Sequence, residues 1–442
     1  MASLSPDPTG IEFEDLIAAH LATRGMFVET GVTERDPKDI LELDIVWTDY
    51  RTLEAPRHAM EVKSGKWHIG EDYFKYLGWV TYLGLASASF VYRKLADQAT
   101  THELLERLGK RTKIKPVYVP DPAKIDEQMD ALGLPKPVAP KMTEVWRFSF
   151  WAQHRLYFSL SRAIAEGLCP KVGKMAKDAW KLYNDAVFFE PDIQARMAML
   201  LREHIDKRYM ASAAAEEIEK KEPNAAVKSD SNTFRAALFH GAHIPVQACL
   251  YVSHRGRLAA IKAAVDYALA KNAGKLEKQF LEVFGVEYDV SELEMHAAFK
   301  NALKYLETHK SAPRYAVFWQ VFMWVWGGFI LIDKKNEEYV ALAEETGVPP
   351  DEIDTALGFF DVLFPRIGGA KWFVTNPNDK CYGLALMPPV IRGIGAYSRL
   401  VRYGVDDYSK LSLTGHYSAT NLAKDHNAVV RLLSKDGSEL LK

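Results

Sequence analysis

Cysteine is scarce in this chain, and its spacing excludes two common uses of the residue. The sequence has three cysteines in 442 residues, and Cys169, Cys249 and Cys381 are too far apart to form a C-x-x-C pair. This number and spacing argue against a disulfide framework and against a zinc site. The N-terminal residues also lack the basic region followed by an apolar stretch that marks a secretory signal. We therefore expect a protein of the reducing cytoplasm.

A surplus of positive charge is absent as well. The sequence has 56 Lys and Arg residues against 58 Asp and Glu residues, a formal net charge of -2. No field over the whole surface would attract nucleic acid, so contacts to phosphate groups would have to come from local clusters. With 48% hydrophobic and 26% charged residues, the composition is that of an ordinary globular protein with roughly two to four domains.

One long run without charge occurs at residues 315–332. Its length is at the lower edge of what spans a bilayer, so a membrane-anchored effector is one interpretation. In the other interpretation the run is a buried helix followed by a strand. Gly327 and Gly328 divide the run into pieces too short to cross a membrane, which favours the second interpretation and no membrane partner.

The first part of the chain has the pattern of an α/β domain. Residues 10–25 have the period of an amphipathic helix, and residues 58–64 alternate as a buried strand. Further strands are predicted at 26–32, 40–47, 89–92 and 115–119, and further helices at 70–85 and 101–108. A strand, a crossover helix and a strand then follow one another in residues 58–92, so residues 1–120 are predicted to form one compact domain. The proline-rich residues 121–142 predict a linker.

Acidic residues occur on two predicted strands that are otherwise apolar. Alternation puts Glu61 and Lys63 on one face of the strand at 58–64, and it puts Asp44 on the same face as Glu42 in the strand at 40–47. Acids on buried strands cost free energy unless a positive group or ion binds them. The ordinary alternative is a surface pair of acids with Lys63 as a solvated salt-bridge partner.

These residue types suit the hydrolysis of a phosphodiester. Carboxylate oxygens are preferred ligands of Mg²⁺, which activates water and neutralises charge on a phosphate. Asp44 and Glu61 are predicted to supply such oxygens, and Lys63 to orient or help deprotonate the attacking water and to counter the phosphate charge. The helical period places Glu14 at the inner margin of the first helix, from which it can approach the site, and Asp15 on the solvated side.

The order of these residues resembles a known superfamily of nucleases. A helix acid, then Leu-Glu-Leu-Asp44, then Glu61-Val62-Lys63 on consecutive strands, followed by a helix and a strand, is similar to the PD-(D/E)xK superfamily. Residues 10–25 resemble its Mrr-like branch. The resemblance covers residues 10–120 and implies a restriction-endonuclease-like fold and a Mg²⁺-dependent nuclease, in which Mn²⁺ can substitute. It also implies that Asp44, Glu61 and Lys63 are catalytic and that Asp44, Glu61 and Glu14 bind the metal. One departure is Leu43, where the superfamily often has proline.

The rest of the chain is predicted to be mainly helical. A helical domain is expected at 143–310, a winged-helix-like module at 311–405 and a C-terminal helical tail at 406–442. The module is predicted from two helices at 337–346 and 351–363 and a hairpin of residues 371–375 and 382–386. Its second helix is acidic and would repel phosphates, which favours a structural or protein-binding role.

Two sets of lysines are candidates for contacts to phosphate groups. Lys66 follows the strand that carries Glu61 and Lys63. Four further lysines form one stripe at helical spacing, which is either a solvated helix face or a track for phosphates: Lys171, Lys174, Lys177 and Lys181.

The predicted function is that of a cytoplasmic Mg²⁺-dependent nuclease, with DNA favoured over RNA as substrate and an endonuclease favoured. Its expected role is that of a bacterial restriction or anti-phage defence effector, by analogy with similar fusions. A nuclease fold that binds nucleic acid without cutting it, as an adaptor, is the alternative. A homo-oligomer, or a protein partner held by the helical region, is also expected because one metal site cuts one strand.

Overall fold

A computed structural model describes residues 4–34, 41–93, 98–165, 244–272, 294–365, 381–384, 387–406 and 410. These residues belong to two compact units. The first unit contains the described residues up to Phe150, and the second contains those from Trp151 onward. The predicted combination of an N-terminal α/β part and a mainly helical C-terminal part is confirmed at this level.

The first unit is built on a five-stranded mixed sheet in the order β1-β2-β3-β4-β5. β1, β2 and β3 are antiparallel to one another, whereas β3, β4 and β5 are parallel. In chain order the elements are α1 (Ile11–Ala22), β1 (Phe27–Glu34), β2 (Leu41–Thr48), β3 (Arg57–Lys63), a π-helix (Ile69–Tyr73), α2 (Phe74–Tyr82), β4 (Ser87–Tyr92), α3 (Gln98–Gly109), β5 (Ile114–Tyr118) and α4 (Ile125–Ala131).

The parallel pairing of β3 and β4 follows from the crossover between them. Two parallel neighbours need a connection long enough to return the chain to the same end of the sheet, and the π-helix with α2 provides it. Tyr73 and Tyr76 pack their rings on Phe90 of β4, with centroids 5.5 and 6.3 Å apart. Val80 is buried in the same core cluster. The apolar face of α2 therefore covers the strands that follow the acidic motif.

Residues 121–142, predicted to be a linker, instead fold onto the first helix. Asp126 of α4 accepts a hydrogen bond from Arg24 at 2.6 Å, and Asp130 accepts another at 3.2 Å. The Arg24 side chain is fully buried, and a buried guanidinium needs acids as partners. Val138 also donates its backbone N–H to the carbonyl of Thr23. Pro122 and Pro140 each begin a short 3₁₀ helix, a position that suits proline.

The described residues of the second unit form helices and one small two-stranded sheet. α5 spans Thr143–Ala165. The other elements are α6 (Ile244–Asn272), α7 (Glu294–Thr308), α8 (Tyr315–Trp324), β6 (Phe329–Leu331), α9 (Lys335–Thr346), α10 (Ile353–Leu363), β7 (Cys381–Gly383) and α11 (Pro389–Tyr403).

The uncharged run at 315–332 is a buried helix, a glycine turn and a strand, as the favoured interpretation predicted. Every residue of α8 is buried. Gly327 and Gly328 both have positive φ, and a Cβ at Gly327 would lie 3.0 Å from the Cα of Gly395. Only glycine fits such a conformation at such a close approach. Within the described parts of the chain, no helix is long and apolar enough to cross a membrane.

The described strand pairing in this unit includes a partner that the predicted hairpin did not contain. β7 pairs in antiparallel fashion with β6, which precedes α9 and α10 in the chain. Residues 371–375 lie outside the described residues, so the other half of the predicted hairpin is not seen. The two predicted helices correspond to α9 and α10. On α10, Asp354 accepts hydrogen bonds from Lys335 and Tyr339, at 2.9 and 2.6 Å.

Candidate functional site

The pairing of β2 with β3 stops where the acidic residues begin. The register runs from Thr48 opposite Arg57 to Ile45 opposite Met60, so Asp44 follows at the point where the ladder ends. Its carboxylate oxygen Oδ2 accepts the backbone N–H of Val62 at 2.7 Å. The Asp44 side chain thus takes the place of a backbone carbonyl as the acceptor of this N–H. The hydrogen bond holds the Asp44 carboxylate beside Glu61.

Three charged groups meet at this point. The Lys63 ammonium nitrogen lies 2.5 Å from Oε1 of Glu61 and 3.7 Å from Oδ2 of Asp44. The exposed fraction of the Glu61 side chain is 7%, and that of Asp44 is 15%. The structure therefore brings Asp44, Glu61 and Lys63 together in a largely buried cluster with two acids and one cation, instead of leaving them as a solvated surface pair.

The pKa values of these groups reflect the surplus of negative charge. Burial and then the charge of Asp44 raise the pKa of Glu61 to about 8, although Lys63 opposes the shift. Burial also raises the pKa of Asp44 against the effects of Lys63 and of the Val62 N–H. Burial alone would lower the pKa of Lys63, but Asp44 and Glu61 raise it, so the ammonium stays protonated.

Glu14 belongs to the same electrostatic cluster. Burial, then the charges of Asp44 and Asp15, raise the pKa of Glu14 to about 8. The prediction that Asp15 is solvated is wrong, because this residue is only 1% exposed. Eight of the twelve residues of α1 are buried. The buried arc of this helix is therefore wider than the apolar arc predicted from the helical period.

The N-terminal segment explains why α1 begins beside the end of β3. Gly10 donates its backbone N–H to the hydroxyl of Ser64 at 2.6 Å. The buried Arg93 binds the carbonyl of Pro8 and the carboxylate of Asp7. Arg93 also donates its own backbone N–H to the carbonyl of Lys63 at 3.0 Å. These bonds tie the chain before α1 to the ends of β3 and β4, where the acids lie.

The donor set fits a hard divalent cation. The Oε2 oxygen of Glu61 is buried and has no hydrogen-bond partner among the described residues, which is costly for a carboxylate unless a cation binds it. In the described ranges no group of three or more His, Cys, Asp or Glu side chains could hold a metal alone, so Glu14 as a third ligand stays a prediction. Mg²⁺ needs only one or two carboxylates, together with water and substrate phosphates.

Two residues that the sequence did not single out lie next to this cluster. Asp72 of the π-helix accepts the backbone N–H of His68 at 2.7 Å, and its charge acts on both Glu61 and Lys63. The hydroxyl of Tyr76 is buried beside the backbone of Glu61 and Ser89. The inward position of Tyr76 could be read from the helical period of α2. A π-helix, however, has no pattern in the sequence that would place Asp72.

Of the predicted phosphate contacts, only Lys66 is among the described residues, and it is not part of this cluster. Lys66 is exposed three residues beyond Lys63 and stays a prediction. Its neighbour Trp67 packs on Phe90 and Tyr92, with ring centroids 4.9 and 5.7 Å away. The four stripe lysines fall outside the described residues: Lys171, Lys174, Lys177 and Lys181.

The raised pKa of Glu61 predicts how the stability of the metal-free protein depends on pH. The folded state favours the protonated carboxyl, so this contribution is fully present below the ordinary value of 4.5 and is lost as the pH rises through about 8. Glutamine cannot ionise. In EDTA, the unfolding temperature of the wild type should therefore fall more than that of Glu61→Gln between pH about 5 and about 9. Parallel curves from differential scanning fluorimetry would contradict this expectation.

Comparisons with known proteins assign no function to this cluster. No protein-family model matches the chain, and neither does any curated protein sequence or any solved structure. A function can therefore be inferred only from the residues and their geometry.

Proposed function

We propose that the first unit is a metal-dependent nuclease that hydrolyses phosphodiester bonds, with Asp44, Glu61 and Lys63 as its catalytic residues. The observation that carries the proposal is the meeting of two largely buried carboxylates and one ammonium at the open end of the β2–β3 ladder. One oxygen of Glu61 is left without a partner among the described residues. Such a cluster is unfavourable by itself and becomes favourable once a divalent cation binds.

The order of the strands supports the same proposal. A helix precedes three antiparallel strands, and a crossover helix then leads to a parallel fourth strand. The first acid is on the second strand and the Glu-x-Lys pair on the third, as the resemblance to the PD-(D/E)xK superfamily implies. Glu14 is on the helix before the strands, where an auxiliary metal ligand is expected.

The roles of the side chains follow from their charges. Asp44 and Glu61 would hold the ion, and Mg²⁺ bound there supplies Lewis-acid chemistry toward water and phosphate. Lys63 has a raised pKa, so it serves better as a positive charge facing the phosphate than as a base. The hydrogen bond from Val62 fixes one oxygen of Asp44.

Cleavage assays test the proposal directly. Plasmid DNA, single-stranded DNA and RNA should be offered in Mg²⁺, in Mn²⁺ and in EDTA. We expect cleavage that EDTA abolishes and that Glu61→Gln lowers by at least about 10²-fold, because one charged ligand is removed. Glu54→Gln, at an exposed acid in the turn before β3, is the matched control and should cleave like the wild type.

The same assays decide between cutting and binding. Equal behaviour of wild type and Glu61→Gln in every buffer would contradict an active nuclease. Nucleic acid bound in a gel-shift assay without any cleavage would favour the adaptor. A preference for DNA, endonucleolytic cutting, a cytoplasmic location and a defence role belong to the proposal and depend on the same activity.

The second unit is proposed to contain a winged-helix-like module that binds a partner other than nucleic acid. The described order α8, β6, α9, α10, β7, with β6 paired to β7, resembles that of a winged helix and supports this proposal. The second helix of the pair, α10, has exposed acids at Asp354 and Asp361. A surface of this sign repels the phosphates of a nucleic acid.

A further inference from the structure

Another acid faces the proposed cation site from the π-helix that follows β3. Asp72 is partly buried, and its charge acts on both Glu61 and Lys63. Tyr76 lies four residues further along, on the same side of the helical segment. It is fully buried, with its hydroxyl beside the backbone of Glu61. Asp72 therefore faces the end of β3 where the cluster lies, and π-helices occur frequently at functional sites.

Asp72 and Asp44 are held in the same way. The Oδ2 oxygen of Asp72 accepts the backbone N–H of His68 at 2.7 Å, as Oδ2 of Asp44 accepts that of Val62. The Oδ1 oxygen of each carboxylate has no hydrogen bond to any described residue. Glu61 adds its Oε2 oxygen, which is buried and also without a partner among the described residues. Each carboxylate thus has one bound oxygen and one that can accept from a ligand.

We infer that Asp72 is a positioning residue of the cation site and binds the ion through one of its water ligands. The inference rests on the proposed function, because it needs Asp44 and Glu61 to hold the ion. Within the described ranges no three side chains of suitable type are placed to hold a metal directly, so a water molecule has to connect Asp72 to the ion. Mg²⁺ keeps several waters when it is bound by one or two carboxylates. A carboxylate with one fixed oxygen is suited to orient such a water.

The charges of the cluster favour a cation over a phosphate as the ligand that Asp72 serves. Electrostatic interactions join four carboxyl groups to one ammonium group, that of Lys63: Glu14, Asp44, Glu61 and Asp72. Ionising all four needs more positive charge than Lys63 supplies. A divalent cation supplies that charge, whereas a phosphate group would add to the deficit. Asp72 therefore acts on the ion and not directly on nucleic acid.

Titration of the metal-free protein with Mn²⁺, without nucleic acid, tests the inference. Electron paramagnetic resonance follows the free ion. Asp72→Asn removes the charge, but its side-chain carbonyl can still accept the N–H of His68. We expect the dissociation constant for Mn²⁺ to rise by about 10- to 100-fold, the usual effect of losing an outer partner of a metal site. Glu71→Gln, at the exposed neighbouring acid of the π-helix, is the matched control and should leave this constant unchanged.

Asp72→Glu separates a role in metal binding from a structural one. This variant keeps the carboxylate, and a contact through water tolerates the longer side chain, so it should retain most of the affinity for Mn²⁺. A residue that only accepted the N–H of His68 would instead be replaced by asparagine without loss. Unchanged affinity in Asp72→Asn, or an equal loss in Glu71→Gln, would overturn the inference. Circular dichroism spectra that match the wild type exclude unfolding as the cause of a loss.

Failure of this inference and failure of the proposed function give different results. If Glu61→Gln weakens Mn²⁺ binding and Asp72→Asn does not, the cation site stands and Asp72 has no part in it. If both variants weaken binding but the wild type cleaves no nucleic acid in Mn²⁺, the role of Asp72 stands and the nuclease activity does not. A wild type that binds no Mn²⁺ would overturn both.

Discussion

Replacing Lys63 by methionine should lower the cleavage rate by at least about 10³-fold while leaving the affinity for Mn²⁺ unchanged or higher. The Lys63 ammonium lies 2.5 Å from a carboxylate oxygen of Glu61 and 3.7 Å from one of Asp44. It therefore competes with a cation for both acids. Methionine fills a similar volume without the charge, so the acids become more available while the charge that would face the phosphate is lost.

A cleavage rate that falls while the metal affinity does not fall separates a catalytic role of Lys63 from a structural one. Cleavage can be followed on a fluorescent oligonucleotide, and metal affinity by titration calorimetry on the same preparation. Lys115→Met, at an exposed lysine of β5 in the same sheet, is the matched control and should change neither quantity. A Lys63→Met protein that cleaves normally, or that loses metal affinity together with cleavage, would show that Lys63 does not act on the phosphate.

The strands and the central acids could be predicted because their signal is local. Alternation along 58–64 depends only on neighbouring residues, and it put Glu61 and Lys63 on one face. The structure places their charged groups in direct contact. β2 was predicted within one residue, at 40–47 against Leu41–Thr48. The turn after α8 could also be predicted, from its two adjacent glycines. Both residues have positive φ, a conformation that favours glycine in any surroundings.

Contacts between distant segments could not be predicted in this way. The π-helix that brings Asp72 toward Glu61 has no sequence pattern, and the burial of Asp15 depends on what covers α1. Arg24 has its acidic partner more than a hundred residues later, at Asp126. The pairing of β7 with β6 was not predicted either. One sequence gives no covariation, so it cannot say which of several compatible partners a strand or a charge will take.

The same limit applies to the ion pair at the centre of the second unit. Arg399 on α11 and Glu338 on α9 are both fully buried. The guanidinium donates to both carboxylate oxygens, at 2.8 and 3.1 Å. It also donates to the carbonyls of Trp326, Phe329 and Gly395. Arg399 thus connects α11 and α9 with the residues on both sides of the glycine turn that follows α8, where it donates to the carbonyls of Trp326 and Phe329.

Arg399→Met should therefore destabilise the second unit by about 3–5 kcal/mol, the usual cost of leaving one partner of a buried ion pair alone. Arg399→Lys should recover little, because an ammonium cannot reach two carboxylate oxygens and three carbonyls at once. The double variant Arg399→Met with Glu338→Gln should recover part of the loss. Its amide carries no charge and can still accept the backbone N–H that Leu331 donates to Glu338 at 2.7 Å.

Urea unfolding followed by tryptophan fluorescence would measure these differences, since Trp319, Trp324 and Trp326 are fully buried in this unit. Lys335→Met removes the exposed pair with Asp354 and should cost at most about 1 kcal/mol. If Arg399→Met costs no more than Lys335→Met, the buried pair is dispensable. A double variant no more stable than the single one would show that the loss comes from the three carbonyls. Partial recovery would instead assign it to the unpaired charge of Glu338, because glutamine has nearly the same shape as glutamate but lacks its charge.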